Sequence, residues 1–146
     1  MKMIDDYASS RINKLRLYLF NVIEELKADS KFQINADMLS NEINNYSLDK
    51  MPVEQEVERW ITGTQINRDV FSFRSRVAYS QDAINNLNNV GFFEEFEKLI
   101  FDNNRQGVLP EIEGIESIEC LNCGSLLDAQ TNKAIFDIQI QITYKI

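Results

Sequence analysis

Cys120 and Cys123 stand in the run CLNC, the CxxC spacing that elsewhere clasps a zinc ion or forms a redox-active dithiol. A closed zinc site takes four ligands, and the chain holds no histidine and no second cysteine pair. Carboxylates or a neighbouring subunit would have to complete it. A thioredoxin-type pair opens a helix, whereas this one ends an expected strand and enters a turn before Gly124. Positions i and i+3 of a strand also face opposite ways, so the sulfurs diverge. The pair reads as two reduced, structural cysteines.

The absent histidine prunes further. It removes the side chain that most often moves protons near neutral pH, and with it Ser-His-Asp and Cys-His catalysis within the chain. Glu54, Glu56 and Glu58 recur at two-residue steps, which places three carboxylates on one face of a strand. A metal or general-base cluster needs surroundings that shift pKa and exclude water, and no apolar residues surround these three. They read as a solvated strand face, as do Glu94, Glu95 and Glu97 on a helix. Gly91-Phe92-Phe93 lacks the glycine spacing and basic residue of a phosphate loop. Trp60 falls on the same face as the three glutamates, opposite Val57 and Ile61. A tryptophan on a charged face suits an interface as well as it suits packing beneath its own loop. The expectation is a protein with no catalytic centre, metal or cofactor.

The elements that carry these residues follow from periodicity. From Asp5 to Ala28, Ile12, Leu15, Leu19, Val22 and Leu26 form one stripe at helical spacing, broadened by Tyr18, Phe20 and Ile23. Lys31 to Ile34 (KFQI) suits a short strand, and Asn35 to Asn45 an irregular segment. Tyr46 to Met51 is a strand stopped by Pro52. Val53, Val57 and Ile61 face inward against the outward glutamates. The sequence predicts a turn at Gly63-Thr64-Gln65 and a returning strand from Asn67 to Tyr79. Phe71, Phe73, Val77 and Tyr79 lie on one side of it, with Arg68, Arg74 and Arg76 on the other. Ser80 suits an N-cap for a short helix from Gln81 to Asn89. Gly91 interrupts, and Phe92 to Asp102 resumes with Phe92, Phe93, Phe96, Leu99 and Ile100 buried, until Gly107 and Pro110 end it. A hairpin closes the chain: Ile115 to Leu121, a loop rich in turn formers through Asp128 to Lys133, and a long strand from Ala134 to Ile146. In that strand Ala134, Phe136, Ile138, Ile140, Ile142, Tyr144 and Ile146 alternate without a slip against polar neighbours. The order predicts one α+β domain, 1–146: a largely antiparallel sheet with two main helices packed on one face.

Length and charge agree with one domain, since 146 residues bury roughly two-thirds of their unfolded surface. No apolar run nears the ~20 residues that span a bilayer, and MKMIDDYASSRINK lacks a signal-peptide core, so the expected place of synthesis and residence is the cytoplasm. A formal charge of −8 argues against a nucleic-acid-binding surface. It is compatible with a surface past which DNA slides.

Two stretches carry a family likeness. Phe73 to Leu109 runs from a strand into a Tyr-Ser-Gln-Asp turn, an Asn-rich helix, GFFEEF and then LP. Ile118 to Tyr144 reads IECLNCGSLLDAQTNKAIFDIQIQITY. Together they resemble the small minor structural proteins, often called minor capsid proteins, of phages and prophages of low-GC Gram-positive bacteria, which occupy the tail-terminator position. The likeness covers the C-terminal half closely and the N-terminal helix in general character. It implies a tail-terminator-like fold assembled as a hexameric ring in the virion. Such a ring sits on the last ring of the tail tube and stops its polymerisation. It meets a neck or head-completion protein, anchors the sheath protein if the tail is contractile, and lets phage DNA pass its lumen without specific binding. On that expectation the hairpin from Glu54 to Arg74 is the contact surface, through Glu54, Glu56, Glu58, Trp60, Arg68 and Arg74. A head-completion, stopper or minor capsid protein of the same neck region is the alternative. An enzyme using carboxylates alone, or a small monomeric binding module, are the readings from other classes.

Overall fold

The structure is a computed structural model that describes residues 10–26, 33–36, 45–78, 83–122, 125–129 and 133–146. The unbroken alternation near the C-terminus becomes the long strand β7 (Lys133–Lys145), and Phe136, Ile138, Ile140, Ile142 and Tyr144 are buried as a period of two requires. Its partner is β4 (Gln65–Ala78), antiparallel in continuous register from Ile66 opposite Lys145 to Ala78 opposite Lys133. Phe71 and Phe73 fall opposite Ile140 and Ile138, so aromatic and β-branched side chains meet across the pair on one face. At 14 and 13 residues both strands are more than twice the usual length of about 5–6.

Shorter strands line both sides of this central pair: β1 (Gln33–Ala36), β2 (Asn45–Met51), β3 (Glu56–Arg59), β5 (Ile115–Cys120) and β6 (Ser125–Ala129). The path through the sheet is β1-β2-β4-β7-β5. β3 continues the row of β2 along β4, and β6 continues the row of β5 along β7. Every pairing is antiparallel except that of β1 with β2.

Two helices, α1 (Arg11–Leu26) and α2 (Ala83–Gln106), cover the face that carries Tyr46, Leu48, Phe71, Phe73, Ile118 and the apolar row of β7. α1 buries Leu15, Leu19 and Val22 of the expected stripe together with Ile23, while Ile12 and Leu26 at its ends are half-buried. α2 buries Phe93, Phe96 and Ile100. Phe73 stacks on Tyr46 at 5.3 Å and on Phe96 at 5.5 Å, and Phe93 stacks on Phe136 at 5.4 Å. Each such pair adds about 0.5–1.5 kcal/mol beyond area burial. The α+β class and the placement of both helices on one face follow from these contacts.

The structure departs from the sequence-based expectation in several places. Gly91 does not interrupt: α2 is one helix of 24 residues. A mid-helix glycine costs about 1 kcal/mol against alanine, which the ring contacts of Phe92 and Phe93 offset. The supposed closing loop contains β6, which pairs with residues 134–137 of β7 around a bulge between Leu126 and Asp128. Backbone groups along the first part of β7 need partners, and β6 supplies them. The hairpin expected from Glu54 to Arg74 is much shorter, because β2 rather than β3 pairs with Val70–Arg76. β1 also runs to Ala36, beyond KFQI. The helix start at Asp5, the middle of the Asn35 to Asn45 segment, Tyr79, and the Ser80 cap lie outside the described residues.

Candidate interface site

Pro52 ends β2, and the chain then turns back on itself to form an arm with β3 and the start of β4 as its two sides. At its tip the Trp60 N–H donates to the Thr64 carbonyl (2.7 Å) and the Gly63 N–H to the Trp60 carbonyl (3.0 Å). Gly63 has φ of 92°, so residues 61–63 form a three-residue loop whose last position is left-handed, a conformation that favours glycine. The turn thus falls earlier than Gly63-Thr64-Gln65, and Gln65 already belongs to β4. That shift carries Ile61 to the apex, at 107% relative exposure.

The inward row Val53, Val57 and Ile61 does not form. A bulge between Glu56 and Glu58 breaks the alternation, all of β3 is exposed, and Val57 stands 57% exposed with Trp60 at 41%. What the arm presents is an apolar tip flanked by acids. Glu56 is paired with Arg59 at 2.7 Å, and Arg59 also donates to Gln65 (3.2 Å). Arg68 ties the arm's base through its side chain to the Glu54 carbonyl (3.0 Å) and its N–H to the Gln55 carbonyl (2.8 Å). The Lys145 ammonium lies 4.9 Å from the Trp60 ring centroid and 3.2 Å from Glu116.

Glu54, Glu56, Glu58, Trp60 and Arg68 therefore share one structural unit. Arg74 does not belong to it. The β4 register puts Arg74 opposite Ser47 and Asp137, on the face of the sheet away from the helices. There it sits between Asp49 (3.9 Å) and Asp137 (3.8 Å), and the Ser72 hydroxyl donates to Asp137.

The residue that holds the arm in place was not among the expected ones. Asp69, whose side chain is 1% exposed, accepts from the Arg11 Nε (2.6 Å) and the Gln55 amide (2.8 Å). The Tyr144 hydroxyl donates to it at 3.3 Å, and the Lys50 ammonium lies 3.7 Å away. One carboxylate thus joins α1, the end of β2, the arm and the end of β7. The Arg11 guanidinium also rests over the Tyr144 ring at 4.5 Å. Burial by itself would raise the Asp69 pKa; hydrogen bonds from Arg11 and Gln55, with the Arg11 and Lys50 charges, outweigh it and hold the carboxyl below its ordinary value. Burial and then the Asp69 charge push Tyr144 up, so its hydroxyl stays a donor. A signal for Asp69 existed in the sequence. Stepping back by twos from Phe73 and Phe71 lands on Asp69, an acid on the core face, and a buried acid requires partners.

Cys120 lies opposite Ile140 on the core face. Its thiol is pushed up to about 12 by burial, then by Glu97 and Glu119, so it stays protonated and unreactive. Cys123 is outside the described residues. Among the described residues no group of three His, Cys, Asp or Glu is placed to hold a metal ion. Among the described residues no helix is long and apolar enough to cross a membrane. No protein-family model matches the chain, and no curated protein matches its sequence.

Proposed function

We propose that this chain is a phage virion structural protein, a tail terminator whose copies form a ring that caps the tail tube, stops its polymerisation and joins the tail to the neck. The observation that supports the reading best is the arm. A 4-residue strand exposed along its length is followed by Trp60 and an Ile61 with no cover, and a hub at Asp69, with two ion pairs and two neutral hydrogen-bond donors, fixes its base. Exposed aromatic and apolar side chains rimmed by charge are the anatomy of a protein-protein contact. The resemblance of Phe73 to Leu109 and Ile118 to Tyr144 supplies the kind of particle. On this reading the partners are further copies, the tube protein and the neck protein, with a sheath protein if the tail contracts. The formal charge of −8 suits a lumen that DNA passes without sticking. The proposed location is the virion, with the host cytoplasm as the place of assembly.

The test is assembly. Electron microscopy and light scattering of the protein, alone and mixed with tail tubes, are expected to show a ring of six. Trp60→Ala, and the pair Glu56→Lys with Glu58→Lys, are expected to abolish tube capping. The folded monomer should stay within about 1 kcal/mol of the original stability, the ordinary range for exposed positions with one weak contact. Normal capping by these variants would refute the arm as the contact, and absence of rings both alone and on tubes would refute the terminator reading.

A further inference from the structure

The cations of the arm are already committed, and two of its acids are not. Arg59 serves Glu56 and Gln65, and the Arg68 side chain serves the Glu54 carbonyl. The Lys145 ammonium beside the Trp60 ring is paired with Glu116. Among the described residues no cation is paired with the carboxylates of Glu54 and Glu58, both of them exposed. The arm therefore offers a partner three uncovered apolar side chains, Val57, Trp60 and Ile61, beside two uncompensated acids. A receptor that fits this needs an apolar groove with a basic rim.

The hollows of this chain do not have one. A hollow of ≈ 520 Å³ beside α1 is walled by Leu17 and Val108, and a hollow of ≈ 570 Å³ between α2 and β5 by Phe101 and Leu121. The first carries Glu25 and Glu111 against Lys14, the second Glu97 and Glu119 against Lys98, so each sets two acids against one base. A third, of ≈ 470 Å³, lies at the base of the arm itself, and its one cation, Lys50, already faces Asp69 at 3.7 Å.

We infer that the arm docks on a protein other than this chain, one that takes Trp60 and Ile61 into an apolar groove with Lys or Arg at its rim. The inference rests on the terminator reading: it assigns the arm to the capping contact and leaves contacts between copies to other surfaces. Docking on a second copy would bring Glu54 and Glu58 against a chain of formal charge −8, and like charges set face to face oppose association. Against a basic rim the same two carboxylates steer the approach and fix the register, while burial of the indole and the isoleucine supplies the affinity. The Gln55 amide, held by the buried Asp69 at 2.8 Å, anchors the base of the arm, so the tip meets its receptor preorganised.

Trp60 is the chain's one tryptophan, so its emission reads the contact directly. In a concentration series followed by light scattering, association of the chain with itself should leave the indole open to acrylamide. Titration with tail tubes, or separately with the neck protein, should protect the indole and shift its emission to the blue. Glu54→Lys with Glu58→Lys should weaken that binding about tenfold or more and leave self-association unchanged. Glu56→Gln, whose carboxylate is already paired within the arm, should change it by less than about threefold. Protection of Trp60 in rings of the chain alone would overturn the inference. So would tubes capped with the indole still open to acrylamide and unprotected by the neck protein, or charge-reversed arms that bind as well as the original; each of these leaves the terminator reading standing. Tubes left uncapped by the original protein would remove the terminator reading. Protection of Trp60 by the neck protein would in that case still support a partner unlike this chain, and protection by neither would overturn both.

Discussion

β2 and β3 lie end to end along the same side of β4, yet one is core and the other is surface. In β2, Tyr46 and Leu48 are fully buried; in β3, every residue is exposed. Both follow from the sequence of β4 beneath them. Along its helix-covered face β4 runs Phe73, Phe71, Asp69, Asn67. The apolar layer stops at Asp69, and a polar hub replaces it just where β2 gives way to the arm. An alternating strand pattern tells which side chains share a face; what covers that face is decided by other elements. The largest expected effects lie on the β2 side of this boundary. Phe73→Ala should cost about 3–5 kcal/mol in urea unfolding, against less than about 0.5 kcal/mol for Val57→Ala. A cost for Val57→Ala approaching that of Phe73→Ala would show that β3 is packed like β2.

The boundary itself is the next place to press. Asp69→Ala removes the shared acceptor and leaves Arg11 and Lys50 with nothing to pair. Those cations are each more than 40% exposed, so water recovers part of the loss. The expected cost is about 1–3 kcal/mol, below the 3–5 typical of a fully buried pair. The pH dependence has a definite sign. The folded-state pKa of Asp69 is depressed, so its contribution is present above the unfolded value near ~3.9 and is lost as pH falls through the folded value. Asp69→Asn should flatten the stability profile below about pH 4. An unchanged acid limb in urea titrations would mean that other carboxylates carry it. Gly114, just before β5 and against the end of β7, ranks third. It has φ of 77° and an added Cβ would stand 2.2 Å from the Lys145 carbonyl oxygen. Gly114→Ala should cost at least about 1–2 kcal/mol from the left-handed backbone alone. Gly91→Ala, in open space on α2, should instead stabilise by about 0.5–1 kcal/mol.

How far the sequence could be read divides along the same boundary. Where period and cover coincide, as in β7 and in the α1 stripe of Leu15, Leu19 and Val22, the pattern named the buried side chains. Gly91 was misread because local propensity says nothing of the aromatic packing that carries a helix through it. β6 was missed because Ser125–Ala129 looks like a loop until the length of β7 demands a partner. On the arm, Glu54, Glu56, Glu58, Trp60 and Arg68 lie in one structural unit because they are close in sequence. Arg74 was grouped with them only because β4 was taken as one side of a hairpin, when most of it pairs with β2 and β7. Asp69 required two steps at once, the strand parity and the cost of an unpaired buried acid.

The smallest expected effect is the most local. Lys145 ends β7, and its ammonium is shared between the Glu116 carboxylate at 3.2 Å and the Trp60 ring at 4.9 Å. The two charged side chains are each 43% exposed, so the ion pair contributes at most about 1 kcal/mol, and an exposed cation-π contact about 0.5–1. Lys145→Met keeps most of the stem and removes the charge, so global stability should fall by less than about 1 kcal/mol. Trp60 is the chain's one tryptophan, which makes its emission a report on the arm alone. If the arm stands apart from the core as β3 stands apart from β2, Lys145→Met should shift that emission while leaving the far-UV signal of the sheet and helices in place. Joint changes in both signals would mean that the arm and the core behave as one packed unit, and the contrast between β2 and β3 would then be one of exposure without independence.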